Sequence, residues 1–360
     1  MTKSSVSAPQ FFALLYLSML GSMFMYISSP KITIATAESL LRPLVFAVVS
    51  IIFAIPIYLL CTKENLKEHL QGEKKSKVYK GVALFYGVVY FIDALMTVGR
   101  FDLFASSELF PGTEMTYFLI GLVAVCVALS FCGIGALGRA STIFTLVVVS
   151  ATVFASFTLS KEVDFLNFTP IFENGVGKFI TDSLTFSIQA SEIGAIVIFF
   201  PEIKGNVKKH YILWSVLSAL SFSFILFFVV ATLGIFADTQ LFPTYTAVTL
   251  AQFGLFERLD ALETAIWILC VVTKLTLYIS AIVKCICFAF PKLSEKITAI
   301  SVGVVITGFL VFISGNIMNF GFISFTPLVV GVYLVPVLVL PLVLLIYNLI
   351  KRRKNNEKTA

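Results

Sequence analysis

Charge is scarce in this chain. Of its 360 residues only 13% are Asp, Glu, Lys or Arg, against 58% hydrophobic, a balance that a soluble protein of this length could not hide inside its own core. Histidine is scarcer still: His69 and His210 stand alone in basic loops with no second ligand at metal spacing, which argues against a metal site. Cysteine gives no disulfide framework, because Cys126, Cys270, Cys285 and Cys287 lie in apolar runs while Cys61 and Cys132 lie at run ends assigned below to the cytoplasm. No nucleophile–base pair, metal cluster or phosphate loop occurs at recognisable spacing, so neither an enzyme nor a bound cofactor is expected. The formal charge of +6 does not indicate nucleic acid, since the basic residues form short clusters between apolar runs, where they read as topology signals.

What the chain has in quantity is long apolar runs. Counting stretches of about 17 to 25 apolar residues gives ten expected spans, at roughly 10–29, 42–61, 81–104, 115–132, 140–159, 183–201, 211–236, 259–284, 297–314 and 326–350. The first is too long for a signal-peptide h-region of about 7 to 15 residues and lacks a small-x-small cleavage site, so it is expected to be retained. With the N-terminus in the cytoplasm, inner loops hold 19 of the 26 Lys and Arg residues, and six (Lys31, Arg42, Arg100, Lys161, Lys178 and Arg258) fall outside. That asymmetry follows the positive-inside rule and predicts that both termini are cytoplasmic. No loop is long enough to fold alone, so the expectation is one membrane domain over 1–360, with halves at about 10–159 and 183–350 and a basic tail at 351–360 that can touch anionic lipid of the bilayer.

One cation remains. Lys274 lies well inside the run FERLDALETAIWILCVVTKLTLYISAIVK at 256–284, and an ammonium at bilayer depth costs roughly 2.5 to 3.5 kcal/mol on insertion scales. It therefore needs a partner or a wet cavity. Asp93, at mid-span after Tyr90, is the first candidate partner; Glu192 is the second; a wet cavity is the third. Arg100 lies on the same face as Asp93 but about 10 Å along the helix axis, too far for direct contact.

Two further spans carry polar groups that a lipid-facing helix does not favour, and the eighth carries one more. Gly21 and Ser22 lie in the first; Gln189, Ser191, Glu192 and Gly194 in the sixth; Tyr278 stands one turn after Lys274 in the eighth. Gly-Ser pairs usually mark close helix packing. Interruptions in corresponding spans of two five-helix halves are instead the best sequence pointer to a mid-membrane site, so helices one and six are expected to be broken. Arg258, Asp260 and Glu263, at the start of the eighth span, read as helix-end charges, and Pro327, Pro336 and Pro341 as kinks in the tenth. None of these is given a functional role.

Four stretches carry a resemblance to a known family: SSELFPGTEMTYFLIGL at 106–122, GIGALGRAS at 133–141, NFTPIFENGVGKF at 167–179 and FPTYTAVTLAQFGLFERLDALETAIWIL at 242–269. In these, and in length and span count, the chain resembles the spore germinant-receptor B subunits (GerAB type), a branch of the amino acid-polyamine-organocation transporter superfamily. The resemblance implies an all-α, LeuT-like 5+5 inverted repeat with broken helices one and six. It places a small-molecule site at Gly21 on the first helix, Tyr90 and Asp93 on the third, Ser191 and Glu192 on the sixth, and Lys274 and Tyr278 on the eighth; Ser22 joins them on physical grounds. It further implies a germinant such as an amino acid as ligand, an A-type membrane subunit and a C-type lipoprotein as partners, and the spore inner membrane as location. Sensing through a shifted helix equilibrium is the first functional expectation. A proton-coupled amino acid transporter using Asp93 or Glu192 is the second, and a scaffold whose polar groups only hold helices together is the third.

Overall fold

The structure is a computed structural model that describes residues 5–24, 34–63, 66, 77–111, 116–169, 171–172, 174–188, 190–251, 260–313 and 327–359. Backbone N–H and C=O groups have no water to pair with in lipid, so each apolar run closes its hydrogen bonds within a helix. The resulting order is α1 (Ala8–Phe24), α2 (Arg42–Lys63), α3 (Lys77–Phe104), α4 (Thr116–Ser130), α5 (Gly133–Leu159), α6 (Gly175–Ile188), α7 (Ala195–Phe199), α8 (Val207–Leu233), α9 (Pro243–Thr249), α10 (Asp260–Ala289), α11 (Glu295–Ile313), α12 (Pro327–Leu334) and α13 (Leu340–Thr359).

Every expected span falls on an apolar helix. Seven are long and apolar enough to cross a bilayer, and an eighth is a pair, Gly175–Ile188 and Ser191–Glu202, bent by 40°. The remaining two expected spans fall on shorter apolar helices, Ala8–Phe24 and Tyr117–Ser130, each next to residues outside the description. Among the described residues, the one pairing of strands is a two-residue parallel match of Val6–Ser7 with Ile203–Lys204, which ties the start of α1 to the segment following the bent pair.

The core is organised around α10. In its most apolar window 78% of residues are buried, against 28% in Gly133–Glu162, so α10 is a central helix and α5 a largely lipid-facing one. Its longest neighbour is α3, and α1, α4, α5 and α11 pack around the rest of its surface. Near the Asp260 end, Phe104 of α3, Phe242 before α9 and Trp267 of α10 are fully buried and form edge-on ring contacts, with Phe104 and Phe242 centroids 5.2 Å apart. A buried Arg42–Asp182 ion pair at 3.3 Å joins the start of α2 to the middle of α6.

Candidate functional site

Three local features bring the site together. On α10, Lys274 and Tyr278 are one turn apart, so both project onto the same face. On α3, Tyr90, Asp93, Thr97 and Arg100 are spaced i, i+3, i+7, i+10 and so share one helical stripe. Between α6 and α7 the helix stops at Ile188 and restarts as a 3-10 turn over Ser191–Gly194, which leaves peptide groups near the break without a regular helical partner. Side chains take up part of that role: the Tyr90 hydroxyl donates to the Ser191 carbonyl at 3.1 Å, and the Ser191 and Tyr278 hydroxyls share a 3.2 Å bond.

Glu192 is the hub. Its side chain is 0% exposed, and Oε1 accepts from Lys274 Nζ at 2.8 Å, Ser22 Oγ at 2.9 Å and Tyr278 Oη at 3.2 Å. Lys274 Nζ also donates to Ser22 Oγ and lies 5.3 Å from the centre of the Tyr278 ring. One carboxylate oxygen thus joins α1, the broken sixth span and α10, while Glu192 Oε2 has no hydrogen-bond partner among the described residues. Of the partners weighed from sequence, Lys274 takes Glu192 rather than Asp93. The 3-10 turn turns Glu192 inward, whereas Asp93 sits on a regular helix that fixes its distance.

Asp93 is nonetheless at the site. It is buried, and neither carboxylate oxygen has a hydrogen-bond partner among the described residues. With Ser22, Ser191, Lys274 and Tyr278 it lines a cavity whose wall also includes Met96, Thr97, Arg100 and Tyr333. The cavity volume is ≈10 Å³, about one water molecule counted as room for its centre. An amino acid does not fit unless helices part.

Seven of the eight residues expected at the site, all but Gly21, line the cavity, touch Glu192 or bond to the helix break. Gly21 has a different role. The expected interruption is not at Gly21 and Ser22, because α1 is helical through both to Phe24. A Cβ at Gly21 would lie 3.2 Å from the Cβ of Cys270, so this glycine serves the close approach of α1 to α10. The first span's expected continuation over 25–29, like Gln189 and Arg258, lies outside the description, whereas Pro327 begins α12.

Other residues escaped the sequence reading. Arg100, counted with the outer cations, is buried within α3 and lines the cavity; its place on the stripe of Asp93 was the available signal. Gly194 meets the tenth span, where an added Cβ would lie 2.8 Å from Pro336 Cβ and 2.9 Å from the Tyr90 hydroxyl. Pro336 does more than kink: it lies in a π-helical turn over Val335–Val339, and its carbonyl accepts the Tyr86 hydroxyl at 2.8 Å. Glu263, read as a helix-end charge, is instead buried.

Comparisons with known proteins fit this geometry. A search of curated protein sequences returned no significant match. Among solved structures, a Na+-coupled sialic acid symporter in a substrate-bound, outward-open state superposes with a TM-score of 0.64, over 93% of this chain and 82% of that one, at 13% identity. At that identity the likeness shows the fold alone, a LeuT-like transporter fold with a broken sixth span. The Spore_permease family profile, described as spore germination protein, matches residues 5–318, and by that match the chain belongs to the spore germination protein family, as an integral membrane protein built like a permease.

Proposed function

We propose that this chain is the germinant-sensing subunit of a spore germination receptor, in the spore inner membrane, and that its ligand is an amino acid or a similar zwitterion. The observation that carries this reading is the Lys274–Glu192 ion pair at the break of the sixth span. In this position Lys274 acts as a built-in cation, so the site is assembled without a bound ion. Lys274, Glu192, Asp93 and Arg100 balance to zero charge, which favours a zwitterion over a net-charged ligand. The Asp93 carboxylate, with no hydrogen-bond partner among the described residues, is the acceptor for the ligand's ammonium group.

The small cavity makes the ligand an effector of shape. A ligand shifts an equilibrium only by binding one state more tightly than the other, and here it binds a state in which α3, α10 and the sixth span have separated. An A-type membrane subunit and a C-type lipoprotein would read that separation. The test is ligand-dependent thermal stability of the purified chain against amino acids, nucleosides and sugars, with Lys274→Met and Tyr90→Ala alongside. An amino acid shift absent from both variants is expected. A shift that survives in both would remove this cluster from ligand binding.

The buried Asp93 carboxylate also favours a second reading, proton-coupled amino acid transport, since such groups mark proton relays. Proteoliposomes with an imposed pH gradient decide between the two. Accumulation of labelled substrate supports transport, and no uptake across a broad amino acid panel supports sensing.

A further inference from the structure

A second polar cavity lies apart from the Glu192 cluster, toward the Asp260 end of α10. Its polar lining is Glu263 of α10, Thr152 and Ser156 of α5, and Thr244 of α9, with Phe24 of α1 and Ile225 of α8 among its apolar walls. Glu263 and Ser156 are each 5% exposed and Thr244 9%. Most hydroxyls on these helices bond back to a carbonyl one turn earlier, as Thr158, Thr232 and Thr264 do. Thr152 Oγ1, by contrast, is buried with no hydrogen-bond partner among the described residues. None of the other three polar side chains forms a hydrogen bond or ion pair among the described residues.

A carboxylate and three hydroxyls from three helices thus converge on ≈30 Å³ of space, ample for one small ion or water. A buried carboxylate needs a neutralising partner. A proton would satisfy one oxygen and leave hydroxyl lone pairs unmatched, whereas a hard cation takes carboxylate and hydroxyl oxygens together. A single carboxylate balances one positive charge.

We propose that Glu263, Thr152, Ser156 and Thr244 form a binding site for one monovalent alkali-metal cation that cross-links α5, α9 and α10. This site is separate from the germinant site and does not depend on its assignment. Bound there, the cation would hold the end of α10 that leads down to Lys274.

The experiment is a melting curve of the full-length chain in detergent at constant ionic strength, with choline chloride replaced stepwise by LiCl, NaCl or KCl, and separately by CaCl2. One alkali ion should raise the melting temperature saturably. Thr152→Val should weaken its apparent affinity roughly tenfold, as loss of a supporting ligand does, and Glu263→Gln should abolish the rise. Equal melting in choline and every alkali salt, a rise with Ca2+ alone, or an alkali-specific rise unchanged in Glu263→Gln would each overturn the site. If Glu263→Gln fails to fold, Thr152→Val and Ser156→Ala carry the same test, and unchanged ion affinity in both would overturn it.

Discussion

Two ion pairs join α10 to the sixth span, and they differ in almost everything but distance. Lys274–Glu192 is 2.8 Å long with side chains 8% and 0% exposed; Lys284–Glu202 is 2.7 Å long with side chains 30% and 29% exposed. The second lies ten residues beyond the first on both elements, about 15 Å along α10 at 1.5 Å per residue. The buried pair is aligned as a hydrogen bond and shared with Ser22 and Tyr278. In the second pair Lys284 Nζ is itself buried, lacks hydrogen-bond alignment and sits 4.5 Å from the Phe199 ring, while the rest of both side chains is partly exposed. In the dry pair, losing a partner strands a charge. In the more open one, water reaches part of each side chain and can take over some of the lost contact. The same two elements are thus held more firmly at mid-span than near the Ala289 end of α10, an arrangement suited to a hinge that opens from the looser side.

The sharpest way to break the comparison is Glu192→Gln. Removing one partner of a buried pair leaves the other charge uncompensated and costs about 3–5 kcal/mol, so a large fall in chemical or thermal unfolding stability is expected. The double variant Glu192→Leu with Lys274→Leu should recover most of that loss, because apolar replacement of a whole buried pair is often neutral, yet it should not respond to ligand. Full ligand response in the double variant would mean that the pair serves folding alone.

Asp93→Asn comes next. The change removes a carboxylate that has no hydrogen-bond partner among the described residues, so stability should hold or rise. Ligand affinity should fall by the worth of a charge-assisted hydrogen bond, about 1.5–3 kcal/mol, which is roughly 10- to 150-fold. Isothermal titration or ligand-dependent melting reads both numbers from one preparation. A stability loss without an affinity loss would make Asp93 structural.

Gly194→Ala probes the ground under Glu192. The new methyl would meet Pro336 and the Tyr90 hydroxyl at under 3 Å, and overpacking of this kind typically costs about 1–3 kcal/mol. The Tyr90 bond to Ser191 should suffer with it, so the expected result is lower stability together with weaker ligand response. A variant as stable as the parent would show that the tenth span yields freely.

These residues also show how far the sequence could be read. Hydrophobic run length located the apolar helices, because lipid demands a continuous apolar helix, and buried charge pointed to the polar cluster, because Lys274, Glu192 and Asp93 could not face oil. Which carboxylate takes the lysine was not legible. That choice depends on the 3-10 turn at Ser191–Gly194 and on sub-ångström packing at Gly194 and Pro336, neither of which leaves a periodic signal. Gly21 misled for a related reason: a glycine that breaks a helix and one that lets two helices touch look alike until the neighbour, here Cys270, is known. Glu263 looked like a helix-end charge because its position in the first turn was visible and its burial was not.

The smallest effect belongs to Lys284→Ala. Half-solvated pairs typically contribute about 0.2–1 kcal/mol and are screened by salt, so the variant should lose little stability, and the little it loses should shrink further at high ionic strength. Its value lies in the contrast with Glu192→Gln on the same two elements. If the hinge opens from the loose side, removing this pair favours the open state and should raise apparent ligand affinity slightly, by the few-fold that such an energy allows. A fall in affinity would instead place the opening at the other end of α10. A stability loss as large as that of Glu192→Gln would show that Lys284 and Glu202 are as dry as the pair above them, and the distinction between the two latches would fail.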